Sequence, residues 1–317
     1  MALEQIGCTV AFVGHEDFLR PVATPLRMII SRSRTARRLA IPFGLRKYNE
    51  MVKVIGNDFS PDLVLSIKGE AVLPSTIEWF RSNVGSTTAL WYPDDPRYFH
   101  SLSTVIAPHY DFVFTAARKF VETYRDIGVP HSAHLPFGCE PIVHRPFVLS
   151  QDEARIFACD VCFVGTYSQK RDRIVRALAK EGFNVGVWGP LWRFFRPSKN
   201  IHGPVVGPEL ARVFSGAKIV LNIHDDSDVG VKANMRTFEA TGCGSLLVTD
   251  NSQQIKEFFE PQKEVVCYDS VLQLTGLLRQ YLSSSRDRDV LSVQAHDRAY
   301  SQHTYRQRLQ TLLRVVG

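Results

Sequence analysis

Short apolar runs recur along this chain with helix-like stretches between them, and that alternation restricts the possible fold more than any other feature. The runs fall at Thr9–Val13, Leu63–Ile67, Thr88–Tyr92, Phe112–Thr115 and Ser132–Leu135 in the first half. In the second half they fall at Asp160–Val164, Asn184–Trp188, Ile219–Asn222, Ser245–Val248 and Glu264–Tyr268. Each suits a strand, and helical patterns near Leu45–Ile55, Ser75–Val84, Ala117–Ile127, Lys170–Glu181, Pro208–Ser215, Met235–Thr241 and Ser252–Phe259 separate them. Strands joined through helices build parallel βαβ units, so an α/β protein is expected.

The chain of 317 residues is long enough for two such domains. Turn-rich His134–Pro141 and polar Gln151–Arg155 place a linker between Pro136 and Ala158. The expected halves are an N-terminal Rossmann-like domain, 1–150, and a C-terminal one, 151–317, facing across a cleft at the carboxyl ends of both sheets. A final helical region runs from about Leu272. Ala2–Gly7 reads as the tail of a first helix, so the N-terminal domain is expected to lack its first strand.

The most informative chemistry lies in Arg236-Thr237-Phe238-Glu239-Ala240-Thr241-Gly242-Cys243-Gly244, followed by an apolar strand ending at Asp250. A helical carboxylate at Glu239 can accept two hydroxyl hydrogen bonds, which suits a nucleotide ribose. Arg236, three residues earlier on the same helical face, is placed to hold attached phosphates. A second half-site follows the strand ending at Val164: Gly165, Thr166, Tyr167, then Ser168 as a helix cap. Lys170 and Arg171 fall in the first helical turn, where the helix dipole disfavours cations. A bound phosphate between them would resolve that conflict.

These motifs resemble the CgeB-type (spore-maturation protein-like) glycosyltransferase family, which has the two-domain GT-B fold. The carrying residues are Phe163–Ser168 with Lys170-Arg171, Ala217–His224, Arg236–Ala240 with Gly242-Cys243-Gly244, His303-Thr304-Tyr305 with Arg308, and Trp91–Pro96. The resemblance covers roughly residue 60 to the end. It implies a nucleotide-sugar donor held mainly by the C-terminal domain, with an acceptor on the N-terminal domain. Glu239 would take the ribose hydroxyls, and Gly165, Thr166, Lys170, Arg171 and Arg236 the diphosphate, with Thr237 and His224 beside them. It further implies catalysis without a bound metal and with no resident cofactor, the nucleotide sugar being the co-substrate; cations and helix N-termini would stabilise the leaving group. Many retaining relatives carry a second Glu eight residues before the ribose Glu; this chain has Val231 there, so a retaining outcome does not carry over.

Three residues are candidates for the proton acceptor: Asp94 and Asp95, after the strand ending at Tyr92, and His15, after the strand ending at Val13. Cys159 and Cys162 have metal-ligand spacing, but they sit within a strand and lack a second pair, so all six cysteines are expected to be free.

The net charge of +6 concentrates in Arg27, Arg32, Arg34, Arg37, Arg38, Arg46 and Lys47, interleaved with apolar residues. That segment suits either a basic surface helix or docking on an anionic membrane or polyanionic acceptor. Nucleic acid is disfavoured, because no recognition motif accompanies the charge. Without a signal-like start or a spanning apolar run, a cytoplasmic protein is expected, with peripheral contact at the inner membrane face through residues 27–47. The reading is a glycosyltransferase. Its alternatives are an epimerase or hydrolase of nucleotide sugars, and a non-catalytic nucleotide-sugar-binding or structural relative.

Overall fold

The computed structural model describes residues 2–14, 34–95, 99–225 and 231–317. These form two compact units, and each contains its own all-parallel sheet. The first unit comprises Leu3–Pro136 together with Leu312–Gly317; the second runs from Phe137 to Thr311.

The first unit has a 3-10 turn at Glu4–Ile6 and, further on, helix α1 (Arg34–Phe59) and strand β1 (Leu63–Ile67). Helix α2 (Pro74–Trp79), extended by a π turn through Val84, leads to β2 (Thr87–Tyr92). Strand β3 (Phe112–Thr115), helix α3 (Phe120–Asp126) and β4 (His131–His134) follow. The order β1-β2-β3-β4 is sequential, so every crossover runs the same way, and Leu63 pairs with Thr87, Ala89 with Phe112, and Phe112 with His131. Ile77, Leu90, Tyr92, Phe99, Tyr110, Val113 and Tyr124 make its core. Thr9–Val13 takes no place in this sheet. Among the described residues its apolar side chains find little cover: Phe12 is 86% exposed, and a strand without a covered face gains too little to pair.

The second unit holds helix α4 (Gln151–Phe157), β5 (Cys159–Val164), α5 (Gln169–Lys180), β6 (Val185–Trp188) and β7 (Ile201–His202). Then come α6 (Gly207–Gly216), β8 (Ala217–Asn222), α7 (Met235–Gly242), β9 (Leu247–Asp250) and β10 (Val266–Tyr268). Three helices close the chain: α8 (Val271–Ser283), α9 (Ser285–Gln302) and α10 (Tyr305–Val316). The stretch Gln151–Arg155, polar enough to read as linker, is helical because a capping box starts it. Ser150 Oγ accepts the Glu153 N–H at 3.2 Å, and Glu153 Oε2 accepts the Ser150 N–H at 2.9 Å.

The sheet order is β10-β9-β8-β5-β6-β7, so the order reverses between β5 and β8. Chain leaving these two neighbours departs to opposite sides, which opens a crevice at their carboxyl ends. Val161, Phe163, Val187, Ile219, Leu221 and Val248 fill the core beneath it. All six cysteines are free thiols, five of them buried. No described helix is long and apolar enough to cross a membrane.

Candidate functional site at the β5–β8 switch point

The turn after β5 brings Gly165 to the crevice and is pinned from beneath. Trp192 Nε1 donates to Gly165 O at 2.8 Å, and Gly165 N–H donates to Trp188 O at 2.9 Å. Gly189 adopts φ +152°, and a Cβ there would lie 2.0 Å from Gly165 O, so only glycine lets the two turns touch. Tyr167 N–H is likewise spent on Pro190 O. An anion at this turn is therefore directed to the start of α5, capped by Ser168 Oγ at 3.3 Å from Arg171 N, and to Lys170 and exposed Thr166.

Arg171 is used differently from the sequence expectation. Its Nε donates to Ile223 O at 3.0 Å and its Nη1 to Thr166 O at 3.1 Å, with the guanidinium 5.6 Å from the Phe163 ring centre. It therefore laces the β5 turn to the β8 turn. Two carbonyls thus receive this cation in the first helical turn.

The turn after β8 carries His224, fully buried. Its backbone N–H and Nδ1 both reach Asp250 Oδ1, at 3.2 and 2.7 Å. Burial would raise the Asp250 carboxyl, but the hydrogen bonds and charge of His224 reverse this and hold it below the usual carboxylate range. Asn222 and Asn234 exchange side-chain hydrogen bonds at 3.2 and 3.3 Å, and Asn234 Oδ1 caps α7 through Thr237 N at 3.3 Å. His224 thus belongs to a chain of polar groups that fixes the start of α7. Thr237 is fully buried, and its Oγ1 has no partner among the described residues. It offers no surface to a ligand.

Helix α7 places Arg236 and Glu239 side by side, one turn apart. Arg236 Nη1 pairs with Glu239 Oε2, and Arg236 Nε donates to Val164 O at 3.1 Å, at the very end of β5. Glu239 is only 4% exposed. Its second oxygen, Oε1, accepts no hydrogen bond among the described residues. Oε1 faces His144 Nε2 at 3.8 Å. A buried carboxylate with one oxygen open at a sheet switch point is equipped to receive hydroxyl donors. Sequence reasoning did not single out His144 or Lys232, whose Nζ is 4.0 Å from Asp250 Oδ2. The only signal for either was position, in turns flanking the recognised motifs.

The acid–base candidates of the first unit separate clearly. Asp95 is 2% exposed and accepts from Ser103 Oγ at 3.1 Å, Thr115 Oγ1 at 2.9 Å and Tyr124 Oη at 2.7 Å. Burial outweighs these donors and raises its pKa, with the charge of Asp94 adding to the rise. Fully engaged, it braces β2, β3 and α3. Asp94 is 31% exposed and pairs with Lys68. His15 lies outside the described residues, as do residues 27–33 of the basic segment and Asp226 after His224. His303, its Nε2 2.9 Å from Phe258 O and its Nδ1 3.1 Å from Arg308 Nη2, is buried and structural; half-buried Arg308 is structural too, its Nε donating to Phe137 O at 2.8 Å.

Residues 170–314 match a family model described as glycosyl transferase-like. No curated protein matches the chain in sequence. Among solved structures, the chain superposes on sucrose-phosphate synthase from Thermosynechococcus elongatus with a TM-score of 0.59 and 13% identity, covering 86% of this chain and 77% of that one. HepE from Anabaena, in complex with UDP-glucose, gives a TM-score of 0.59 at 11% identity over 83% of this chain and 81% of its own. A glycosyltransferase from Rickettsia africae gives 0.57 at 12%, over 87% and 81%. The two parallel α/β units thus have the fold of GT-B glycosyltransferases.

Proposed function

We propose that this chain transfers a sugar from a nucleotide-diphosphate sugar to an acceptor hydroxyl. The observation that carries the reading is Glu239: a buried carboxylate at the β5–β8 crevice with one oxygen fixed by Arg236 and the other open. Ribose hydroxyls donate to Oε1, the diphosphate lies towards the start of α5 with Lys170 and Thr166, and Arg236 supplies positive charge between them. That charge stabilises the departing diphosphate, so the reading calls for neither a metal nor a resident cofactor. HepE and its UDP-glucose complex support the donor class, and the family match over 170–314 supports group transfer.

The proton acceptor assigned in this reading is Asp94, which keeps solvent access beside Lys68, with His15 as its rival; Asp95 is assigned to structure. The finer placement in the CgeB-type family rests on the sequence motifs, and peripheral contact of residues 27–47 with an anionic membrane rests on charge alone. Calorimetric titration with UDP, GDP, TDP and their sugars, alongside Glu239→Ala, tests the reading. Micromolar binding of one nucleotide, lost in the variant, is expected; equal binding by both proteins would overturn it. Turnover of the bound sugar onto an acceptor distinguishes the transferase from a nucleotide-sugar epimerase and from a non-catalytic binding protein.

A further inference from the structure

Glu239 does not face solvent alone. The segment leading into the second unit, Phe137–Ser150, lies against α7 and carries His144 to the open oxygen. Gly242 permits the approach: a Cβ there would meet Cys139 Cβ at 2.8 Å and His144 Cβ at 3.4 Å. The segment is fixed at several points. Cys139 N–H donates to His303 O at 2.9 Å, Tyr305 N–H donates to Cys139 O at 2.8 Å, and Tyr300 Oη donates to His144 O at 2.9 Å. His144 is 8% exposed and held by rigid neighbours, as a binding side chain should be.

Geometry decides which ring nitrogen of His144 carries the proton. Glu140 N–H donates to Nδ1 at 2.9 Å, so Nδ1 is the acceptor and the proton of the neutral ring sits on Nε2. Burial lowers the His144 pKa, and the Arg236 charge works in the same direction against the attraction of Glu239, so the neutral ring persists. Nε2 lies 3.8 Å from Glu239 Oε1, a gap too long for a hydrogen bond. One hydroxyl oxygen set to the side of that gap can lie about 2.7–3.0 Å from each atom. An imidazolium would instead close on the carboxylate and exclude it.

We infer that His144 and Glu239 form a donor–acceptor pair that grips one ribose hydroxyl, the imidazole donating to it and the carboxylate receiving its proton. The assignment rests on the nucleotide reading of the site and narrows the co-substrate to ribonucleotides. A hydroxyl both donates and accepts; the carbon–hydrogen of a deoxyribose does neither and leaves two buried polar groups unmatched. His144 is in this sense a specificity residue and takes no part in bond making.

The test uses the full chain and calorimetry with UDP, GDP and ADP, and with the 2′-deoxy and 3′-deoxy forms of whichever binds. The intact protein is expected to bind the ribonucleotide roughly 10-fold or more tighter than one of its deoxy forms. His144→Ala is expected to weaken the ribonucleotide by that factor while leaving that deoxy form unchanged, the signature of a coupled pair. His144→Gln, whose amide reaches the Nε2 position, restores discrimination; His144→Asn, too short, does not, so a folded comparison is kept if the alanine variant is unstable. Equal weakening of all three sugars by His144→Ala and His144→Asn would make the residue merely structural and overturn the assignment alone. Undiminished binding by Glu239→Ala, or no binding of any nucleotide by the intact protein, overturns the nucleotide site itself and this assignment with it.

Discussion

Two buried carboxylates, one in each unit, follow the same rule of burial and obey opposite rules of occupancy. Asp95 is 2% exposed and Glu239 4%. Asp95 has three hydroxyl donors on its two oxygens, from three separate segments of its unit. Glu239 has one oxygen on Arg236 and the other 3.8 Å from His144 Nε2. Burial alone therefore identifies neither as a site. What distinguishes Glu239 is acceptor capacity that its own fold leaves unspent and that a ligand hydroxyl can take up.

Alanine at each carboxylate breaks the comparison where it is sharpest. Glu239→Ala removes the ribose acceptor and is expected to weaken nucleotide binding by about 100-fold or more, since charged hydrogen bonds are worth about 1.5–3 kcal/mol each. Calorimetry at matched folded fractions reads this directly. Asp95→Ala leaves three buried hydroxyls without their acceptor, at about 1 kcal/mol apiece, so the unfolding free energy read from urea melts should drop by about 3 kcal/mol. Nucleotide affinity per folded molecule should hold. If Asp95→Ala instead spared stability and abolished turnover, its assignment to structure would be wrong.

The pH dependence of stability should carry the same contrast. His303 in the second unit is pushed down to about 4, first by burial and then by Arg308 and Arg298, against the pull of the Phe258 carbonyl. Its unfolded form titrates near 6.5, so between 6.5 and 4 the unfolded chain binds the extra proton. Stability is complete above 6.5 and falls as pH drops through that window, by at most about 3 kcal/mol. Asp95 works in the other direction. Its raised pKa makes its contribution complete below the ordinary carboxylate range and lost as pH rises through the folded value. Thermal melts from pH 4 to 7 should show a limb that His303→Gln flattens, and an opposing slope that Asp95→Asn removes. A limb unchanged in His303→Gln would place the acid sensitivity elsewhere.

How much of this was legible beforehand follows from what each feature depends on. Nine of the ten expected strands are present within a few residues, because an apolar run between helical patterns encodes its own burial. Thr9–Val13 failed because strand formation needs a covering surface, which a run cannot declare. Ile201–His202 was too short to register, and Gln151–Phe157 hid behind polar residues whose capping box was the available clue. Arg236 and Glu239 were readable from helical spacing. His144 was not, because its role comes from a glycine on α7 that lets a distant segment approach, a relation between residues almost a hundred positions apart. Asp94 and Asp95 looked alike as neighbours in a turn; only the hydroxyls from Ser103, Thr115 and Tyr124 tell them apart.

The smallest expected effect concerns Arg171, the residue whose sequence-level role and structural position differ most. As a phosphate ligand it could be replaced by lysine at little cost, because an ammonium also satisfies a phosphate. As a lace between Thr166 O and Ile223 O it could not: Nε and Nη1 donate in two directions from one rigid plane, and a single ammonium cannot span both. Losing one neutral acceptor's partner costs about 1 kcal/mol, so Arg171→Lys should weaken nucleotide binding by about 5-fold and speed hydrogen exchange at Thr166 and Ile223. Faster exchange with unchanged affinity would confine Arg171 to structure. Unchanged affinity with unchanged exchange would return it to the phosphates, and so to the open side of the contrast that Glu239 represents.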